Sequence, residues 1–291
     1  MRIRLYPNIY IHCWGGLGSQ LFAWILMAET KEKFKHRRVK LVMHESGITL
    51  RKSEISSFLL SSEIFEVHDF NTRGRFFLLN KVSRIFNWLK RFIKFVSIKF
   101  GLLAYCNTEE DFKKIKPWIL QIRGHYSNRI INNDFVNDII ASLWPDFGKG
   151  SELEINDLIA LHFRLGDLLN LKTKKPLGEY RVIEGINRLS EILTITEITI
   201  FSDSGFTAAD KLTKAGCRLK ISLNNLEILP TLKMLVFSKA FIATPSKISE
   251  WVIILRIFLG IGGPILVPIE MHEHLVRIYP SILQSQWVHV Y

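Results

Sequence analysis

The sequence predicts an α/β protein of two parallel-sheet domains facing each other across a cleft, and three observations carry that expectation. Short apolar runs of strand length recur at Ile9 to His12, Lys40 to Met43, Leu158 to Phe163, Ile198 to Phe201 and Ala240 to Ala243. Segments of helical periodicity separate them, and strands alternating with helices imply parallel sheets joined by right-handed crossovers. The chain has 291 residues, enough for two domains of about 150 residues each. Turn formers from Trp144 through Ser151 then interrupt the periodicity, so the domains are expected at 1–150 and 151–291.

Composition narrows the class. With 48% hydrophobic and 23% charged residues, nearly every segment is expected to pack, and long disordered tails are excluded. Cys13, Cys106 and Cys217 are far apart and form no C-x-x-C or Cys/His spacing. That pattern argues against a disulfide framework or a structural zinc and fits a reducing cytoplasm. The start, Met1-Arg2-Ile3-Arg4-Leu5, has cations but no long apolar core before a small-residue cleavage site, so no signal peptide is expected. The stretch Trp251 to Pro268 is interrupted by Arg256, Gly260, Gly262, Gly263 and Pro264, whereas a membrane-spanning helix needs about 20 mostly apolar residues. It reads as a buried helix through about Leu259, a glycine turn, and a buried strand at Ile265-Leu266-Val267.

The formal net charge is +12, and much of it is local. No acidic residue occurs between Asp69 and Glu109, while Arg73, Arg75, Lys81, Arg84, Lys90, Arg91, Lys94 and Lys99 are cationic. Within this stretch, about 73–100, Val82, Ile85, Phe86, Leu89, Phe92 or Ile93, and Val96 recur at helical spacing, with Arg84, Arg91 and Lys94 on other faces. Two readings stay open: a core helix with a solvated back, or a basic amphipathic helix resting on an anionic membrane surface. A nucleic-acid partner is not expected, because no recognised binding motif accompanies the charge.

Four strand ends carry the candidate chemistry. After Ile9 to His12 comes Gly15-Gly16-Leu17-Gly18-Ser19-Gln20 and then an apolar helix. Glycines there let the backbone approach a ligand, and a helix N-terminus favours an anion. The pattern is neither the dinucleotide fingerprint nor a P-loop, and an ordinary strand-to-helix turn is the competing reading.

At the second, His162-Phe163-Arg164-Leu165-Gly166-Asp167 follows Leu158 to Leu161. Strand alternation sends His162 and Arg164 one way and Phe163 into packing. A guanidinium offers a fixed fork of donors matched to phosphate, although Arg164 could instead pair with Asp167. At the third, Ile198 to Phe201 leads to Ser202-Asp203, where an acid can accept hydrogen bonds from a base or ribose or simply shape a turn. At the fourth, Ala243-Thr244-Pro245-Ser246 opens a helix, and Ser246 and Ser249 could bind phosphate oxygens or cap that helix.

Taken in order, these elements resemble the bacterial α-1,2-fucosyltransferases, glycosyltransferase family 11, along nearly the whole chain. Gly15 to Gln20 is similar to the family's Gly-Gly-Leu-Gly-Asn-Gln turn, with Ser19 in the asparagine position. His162 to Asp167 is similar to His-x-Arg-Arg-Gly-Asp, with Leu165 for the second arginine, and Gly178-Glu179-Tyr180-Arg181 to the helix start that often follows. Phe201-Ser202-Asp203-Ser204 is similar to Phe-Ser-Asp-Asp, with Ser204 for the second acid. Gly124-His125-Tyr126-Ser127 and the stretch from Ala243 to Trp251 are looser echoes.

The resemblance implies a GT-B fold of two Rossmann-like domains, with an acceptor-side N-terminal half and a nucleotide-sugar-binding C-terminal half. It implies inverting transfer, usually of fucose from GDP-fucose to a galactose-type hydroxyl of a glycan acceptor, in surface polysaccharide or O-antigen synthesis. It also implies no essential metal and no further cofactor, and it suits a cytoplasmic protein, peripheral on the membrane in one of the readings above. Arg164 would be the donor-phosphate residue, with His162 and Asp167 beside it in the catalytic set. Gly16, Gly18, Ser19, Gln20, Ser202, Asp203, Ser246 and Ser249 would bind the donor. For the base that takes the acceptor proton, His12, His44, Glu45 and Asp167 all remain open. Another nucleotide sugar, or binding without catalysis, are the alternative functions.

Overall fold

The computed structural model describes residues 7–44, 53–55, 64–67, 84–146, 154–165, 175–224 and 226–291. The chain divides into two compact units, Met1–Ile131 and Asn132–Tyr291.

The first unit runs β1 (Ile9–Trp14), α1 (Leu17–Lys33), β2 (Val39–His44), β3 (Ile64–Val67), α2 (Arg84–Lys99), β4 (Leu103–Tyr105), α3 (Glu109–Lys113), β5 (Gln121–Arg123) and a 3₁₀ turn at Tyr126–Asn128. Its strands lie in the order β3-β2-β1-β5-β4, every neighbouring pair parallel. Strands covered on both faces need near-continuous apolar runs, and Ile9, Ile11, Leu41 and Val42 are all buried. Helix α1 is buried at almost every position from Leu17 to Met27, the signature of a helix threaded through a core rather than laid on a surface.

The second unit runs α4 (Asn133–Leu143), β6 (Asn156–His162), α5 (Glu179–Ile192), β7 (Glu197–Phe201), α6 (Gly205–Lys214), β8 (Lys220–Asn224), α7 (Ile228–Val236), β9 (Ser238–Ile242), α8 (Lys247–Phe258), β10 (Ile265–Val267), α9 (Ile269–Ile278), a 3₁₀ turn at Pro280–Gln284 and β11 (Val288–Val290). The strand order is β11-β10-β9-β6-β7-β8, again parallel throughout. From the central β6 the chain winds outward through β7 and β8, then restarts on the other side at β9. This is the doubly wound order of a Rossmann-type sheet, with its switch point between β6 and β9, where such sheets bind ligands.

One face of β6 is packed by Leu161, Phe163 and Leu165 among Val182, Ile186 and Leu189 of α5 and Ala208 and Leu212 of α6. Arg256, which breaks the apolar run of α8, is fully buried. It donates to the carbonyls of Val236 at 3.0 Å, Ser238 at 2.6 Å and Gly262 at 3.1 Å, tying the end of α8 to the start of β9. Burial lowers its pKa to about 10, which leaves it charged at neutral pH. Among the described residues, no helix is long and apolar enough to cross a membrane.

The expected α/β class and parallel sheets are both present. The apolar runs singled out in the sequence are β1, β2, β6, β7, β9 and β10. The domain boundary differs from expectation: the units divide between Ile131 and Asn132, not near 150. The reason is α4, which Asn132 caps by accepting from the Asp134 backbone N–H at 3.0 Å and which packs against α8, so it belongs to the second unit.

Candidate functional site

The carboxyl ends of β6 and β9 bring together His162, Arg164, Thr244, Ser246 and Ser249. Leu161 pairs with Ile242 at the last rung. Beyond it the Thr244 hydroxyl stands in for the next rung, donating to the His162 carbonyl at 2.7 Å and accepting from the Arg164 N–H at 3.2 Å. The alternation of β6 thereby continues past its last paired residue. Phe163 and Leu165 are fully buried in the core, whereas His162 and Arg164 are half-buried on the opposite face. Phe163 N–H also bonds the Phe201 carbonyl at 3.0 Å, which fixes this segment against β7 as well.

Ser246 is the N-cap of α8. Its hydroxyl oxygen accepts from the Ser249 N–H at 3.0 Å and donates its proton to Ser249 Oγ at 3.1 Å. Ser249 Oγ lies 2.7 Å from His162 Nδ1, and Ser246 Oγ lies 3.1 Å from the same nitrogen. Both hydroxyls lie within hydrogen-bond reach of Nδ1 and hold the imidazole against the start of α8. Burial, with a further contribution from the Arg164 guanidinium, lowers the His162 pKa to about 4. His162 is therefore neutral at pH 7. Arg164 and the N-terminal end of α8 add positive potential at the same strand ends, a combination suited to an anion such as a diphosphate.

Ser202 and Asp203 follow β7, the strand next to β6. Asp203 is exposed, and the Ser202 hydroxyl accepts from the Ser204 N–H at 3.2 Å. Asp167 and Glu45 lie outside the described residues. Leu165, which departs from the family's second arginine, is held in the core cluster, so position 165 offers no side chain to the face that bears Arg164.

Gly16, Gly18, Ser19 and Gln20 belong to the first unit, and helix α1 begins at Leu17, before the Leu21 at which the apolar run starts. Gly15 is the residue this turn requires, with φ at +97°. Gln20, expected to bind donor, is instead a buried clamp. Its amide nitrogen donates to the Gly15 carbonyl at 3.0 Å and to Glu54 Oε2 at 2.9 Å, while its oxygen accepts from the Glu54 and Ile55 N–H groups at 3.0 Å each. Both donors and the acceptor are occupied, so no polar group of Gln20 is left for a ligand.

The two histidines considered as bases are also interior. His12 Nδ1 lies 2.9 Å from His44 Nε2, and Trp14 stacks on His44 with ring centroids 4.4 Å apart. His12 is fully buried and His44 nearly so. Burial, then Arg123 and His44, lower the His12 pKa to about 2. A ring so hard to protonate and so enclosed is a poor acceptor for a substrate proton. The Tyr126 hydroxyl closes this cluster by donating to the His12 carbonyl at 2.6 Å. Nearby, Gly124 is obligatory: a Cβ there would stand 2.3 Å from the Cys106 carbonyl oxygen.

Thr244 is the residue the sequence did not flag. It was visible at the strand end, but its role depends on the β6–β9 pairing, which only the sheet order supplies.

No protein-family model and no curated protein matches the chain. Among solved structures, it is similar to the E. coli heptosyltransferase WaaC with ADP, at 12% identity and TM-score 0.43, over 97% of this chain and 92% of that one. It is similar to a mutant of Arabidopsis thaliana FUT1 in complex with GDP, at 12% identity and TM-score 0.41, over 87% and 70%. It is also similar to the UDP-GlcNAc 2-epimerase from Neisseria meningitidis bound to UDP-GlcNAc, at 11% identity and TM-score 0.38, over 95% and 90%. At these identities and scores nothing about chemistry follows from them, and the functional reading rests on the residues at the β6 and β9 ends.

Proposed function

We propose that this chain is an inverting glycosyltransferase that uses a nucleoside diphosphate sugar, with the diphosphate at the carboxyl ends of β6 and β9. The observation that carries the reading is the convergence of the Arg164 backbone, neutral His162 and the N-terminus of α8 at the switch point of a doubly wound sheet. In the reaction, an acceptor hydroxyl oxygen bonds to the anomeric carbon as that carbon's bond to the diphosphate oxygen breaks, and the hydroxyl proton passes to a carboxylate base, for which Asp167 and Glu45 are the candidates. Negative charge gathers on the leaving diphosphate. Arg164 and the helix N-terminus are placed to meet that charge, the electrostatic contribution expected to dominate such a step. The neutral His162 ring adds hydrogen-bonding capacity without adding a charge.

The donor in this reading is GDP-fucose and the acceptor a galactose-type hydroxyl of a glycan, on the resemblance carried by His162 to Asp167 and Phe201 to Asp203. The buried Leu165 favours a second reading, transfer from a different nucleotide sugar, because the family's second arginine has no counterpart on the ligand face. A thermal-shift panel of GDP, UDP, ADP and CMP sugars separates the two, since a ligand that binds only the folded chain raises its melting temperature. Stabilisation by GDP-fucose, followed by GDP release with a galactosyl acceptor, is the expected result. Stabilisation by another sugar nucleotide alone overturns the fucose assignment, and no stabilisation by any of them overturns the transferase reading.

A further inference from the structure

Helix α2 leaves uncovered a side that a core helix would bury. Trp88, Phe92 and Phe95 recur at i, i+4 and i+7 and so share one stripe, and Trp88 and Phe95 are 68% and 62% exposed. Trp88 and Phe92 stack on each other, with ring centroids 5.8 Å apart. The helix has its own inward side: Ile93 and Val96, from the apolar face read in the sequence, are half-buried. Phe92, placed on that face in one version of the reading, is exposed instead.

The uncovered surface continues past the helix. Ile98 is 44% exposed and Phe100 64%. Trp118, itself 55% exposed, is held beside Phe100 by its indole N–H, which donates to the Phe100 carbonyl at 2.6 Å. Cations are interleaved with these side chains: Arg91 and Lys99 on the helix, Lys114 and Lys116 just before Trp118, all exposed. Lys94 lies over the Tyr105 ring at 5.1 Å. Among the described residues, the acids in the segment that leads to Trp118 are Glu109, Glu110 and Asp111, and Glu110 is paired with Lys113 at 3.0 Å.

We propose that this face docks on the anionic headgroups of a phospholipid bilayer, with Trp88, Phe92 and Phe95 inserted at the headgroup boundary and Arg91 and Lys99 on the lipid phosphates. A tryptophan and phenylalanine stripe flanked by cations, on a helix of low overall hydrophobicity, is the pattern of an interfacial helix. The absence of any acid between Asp69 and Glu109 complements a negative surface. A second copy of the chain fits less well, because the cores of protein interfaces are depleted in lysine, whereas here cations sit among the aromatics.

The test is sedimentation of the full chain with phosphatidylcholine vesicles, with and without phosphatidylglycerol. Binding is expected only to the anionic vesicles and is expected to weaken as salt is raised. One cation near an anionic surface is worth about fivefold in partitioning, so the Arg91→Gln/Lys99→Gln double variant is expected to lose about thirtyfold. Trp88→Ala/Phe95→Ala, which removes exposed side chains only, is expected to abolish binding without changing the melting temperature. Three results overturn the proposal: equal binding to neutral vesicles, unchanged binding by both variants, or binding blocked by a single-stranded oligonucleotide. Self-association that Trp88→Ala/Phe95→Ala disperses, with no vesicle binding, assigns the face to a second copy instead. None of these readings depends on sugar transfer, so this proposal and the enzymatic one fail separately.

Discussion

The two units present the same opportunity and use it differently. Each has a parallel sheet whose central strand, β1 or β6, runs into a polar segment next to a helix start. At the end of β1 the polar side chains are buried within the unit: Gln20 clamps the turn to residues 54 and 55, His12 and His44 meet through one ring nitrogen each, and Tyr126 seals the strand. At the end of β6, His162 and Arg164 stay half-buried, and the serines of α8 hold the imidazole ring. What distinguishes the second unit is a cation and a neutral imidazole, held by two serines, at a switch point.

The largest effect that would break this contrast is catalytic. Removing a preorganised charge that meets a developing anion costs about a hundredfold to a thousandfold in turnover. Arg164→Ala is therefore expected to lose GDP release on that scale while melting at the temperature of the unaltered chain. Equal turnover would remove Arg164 from the chemistry.

Gln20→Ala sharpens the contrast from the other side. It strands buried backbone N–H groups at residues 54 and 55, and is expected to cost about 3 kcal/mol in urea unfolding with little change in GDP affinity relative to remaining folded protein. A large affinity loss at unchanged stability would move Gln20 back into the donor site.

A pH dependence comes next. The His162 pKa is 6.5 in the unfolded reference and about 4 when folded, so the unfolded chain takes up the proton first as pH falls. Stability is thus expected to decline between about pH 6.5 and 4, by about 3 kcal/mol from this residue, and to show no further loss from it below the lower value. His12 titrates lower still and adds its own loss over a wider range. His162→Asn is therefore expected to reduce the slope in this window by up to one proton, measured by unfolding at several pH values.

The smallest effect is at Ser249. Ser249→Ala removes the 2.7 Å partner of Nδ1 and leaves the Ser246 hydroxyl at 3.1 Å to replace it. Donor affinity is expected to fall by about fivefold, equivalent to one ordinary hydrogen bond of about 1 kcal/mol. A hundredfold loss would mean that the serine touches the ligand itself.

The sequence was most legible where packing dictates it. The runs that became β1, β2, β6, β7, β9 and β10 are apolar because sheets covered on both faces require it. The opposed directions of His162 with Arg164 and of Phe163 followed from alternation alone. The strands that escaped notice are short or at an edge: β4, β5 and β11 have three residues each, and Lys-Ile-Ser-Leu-Asn in β8 alternates too weakly to separate from a loop. The Gln20 clamp was not legible because a motif position shows which residue is present, not whether residues 54 and 55 return to meet it. The role of Thr244 was hidden for the same reason, since its hydroxyl acts only once β6 and β9 lie side by side.

The central claim, that the ends of β6 and β9 hold the nucleotide diphosphate, is tested most directly by calorimetric titration of GDP into the unaltered chain, Arg164→Ala and Gln20→Ala. Arg164→Ala is expected to bind at least tenfold more weakly, the loss of one charge-assisted contact of about 1.5 to 3 kcal/mol, while folded Gln20→Ala is expected to bind as the unaltered chain does. Equal affinity in Arg164→Ala, with the loss appearing in Gln20→Ala, would place the diphosphate at the first unit and contradict it.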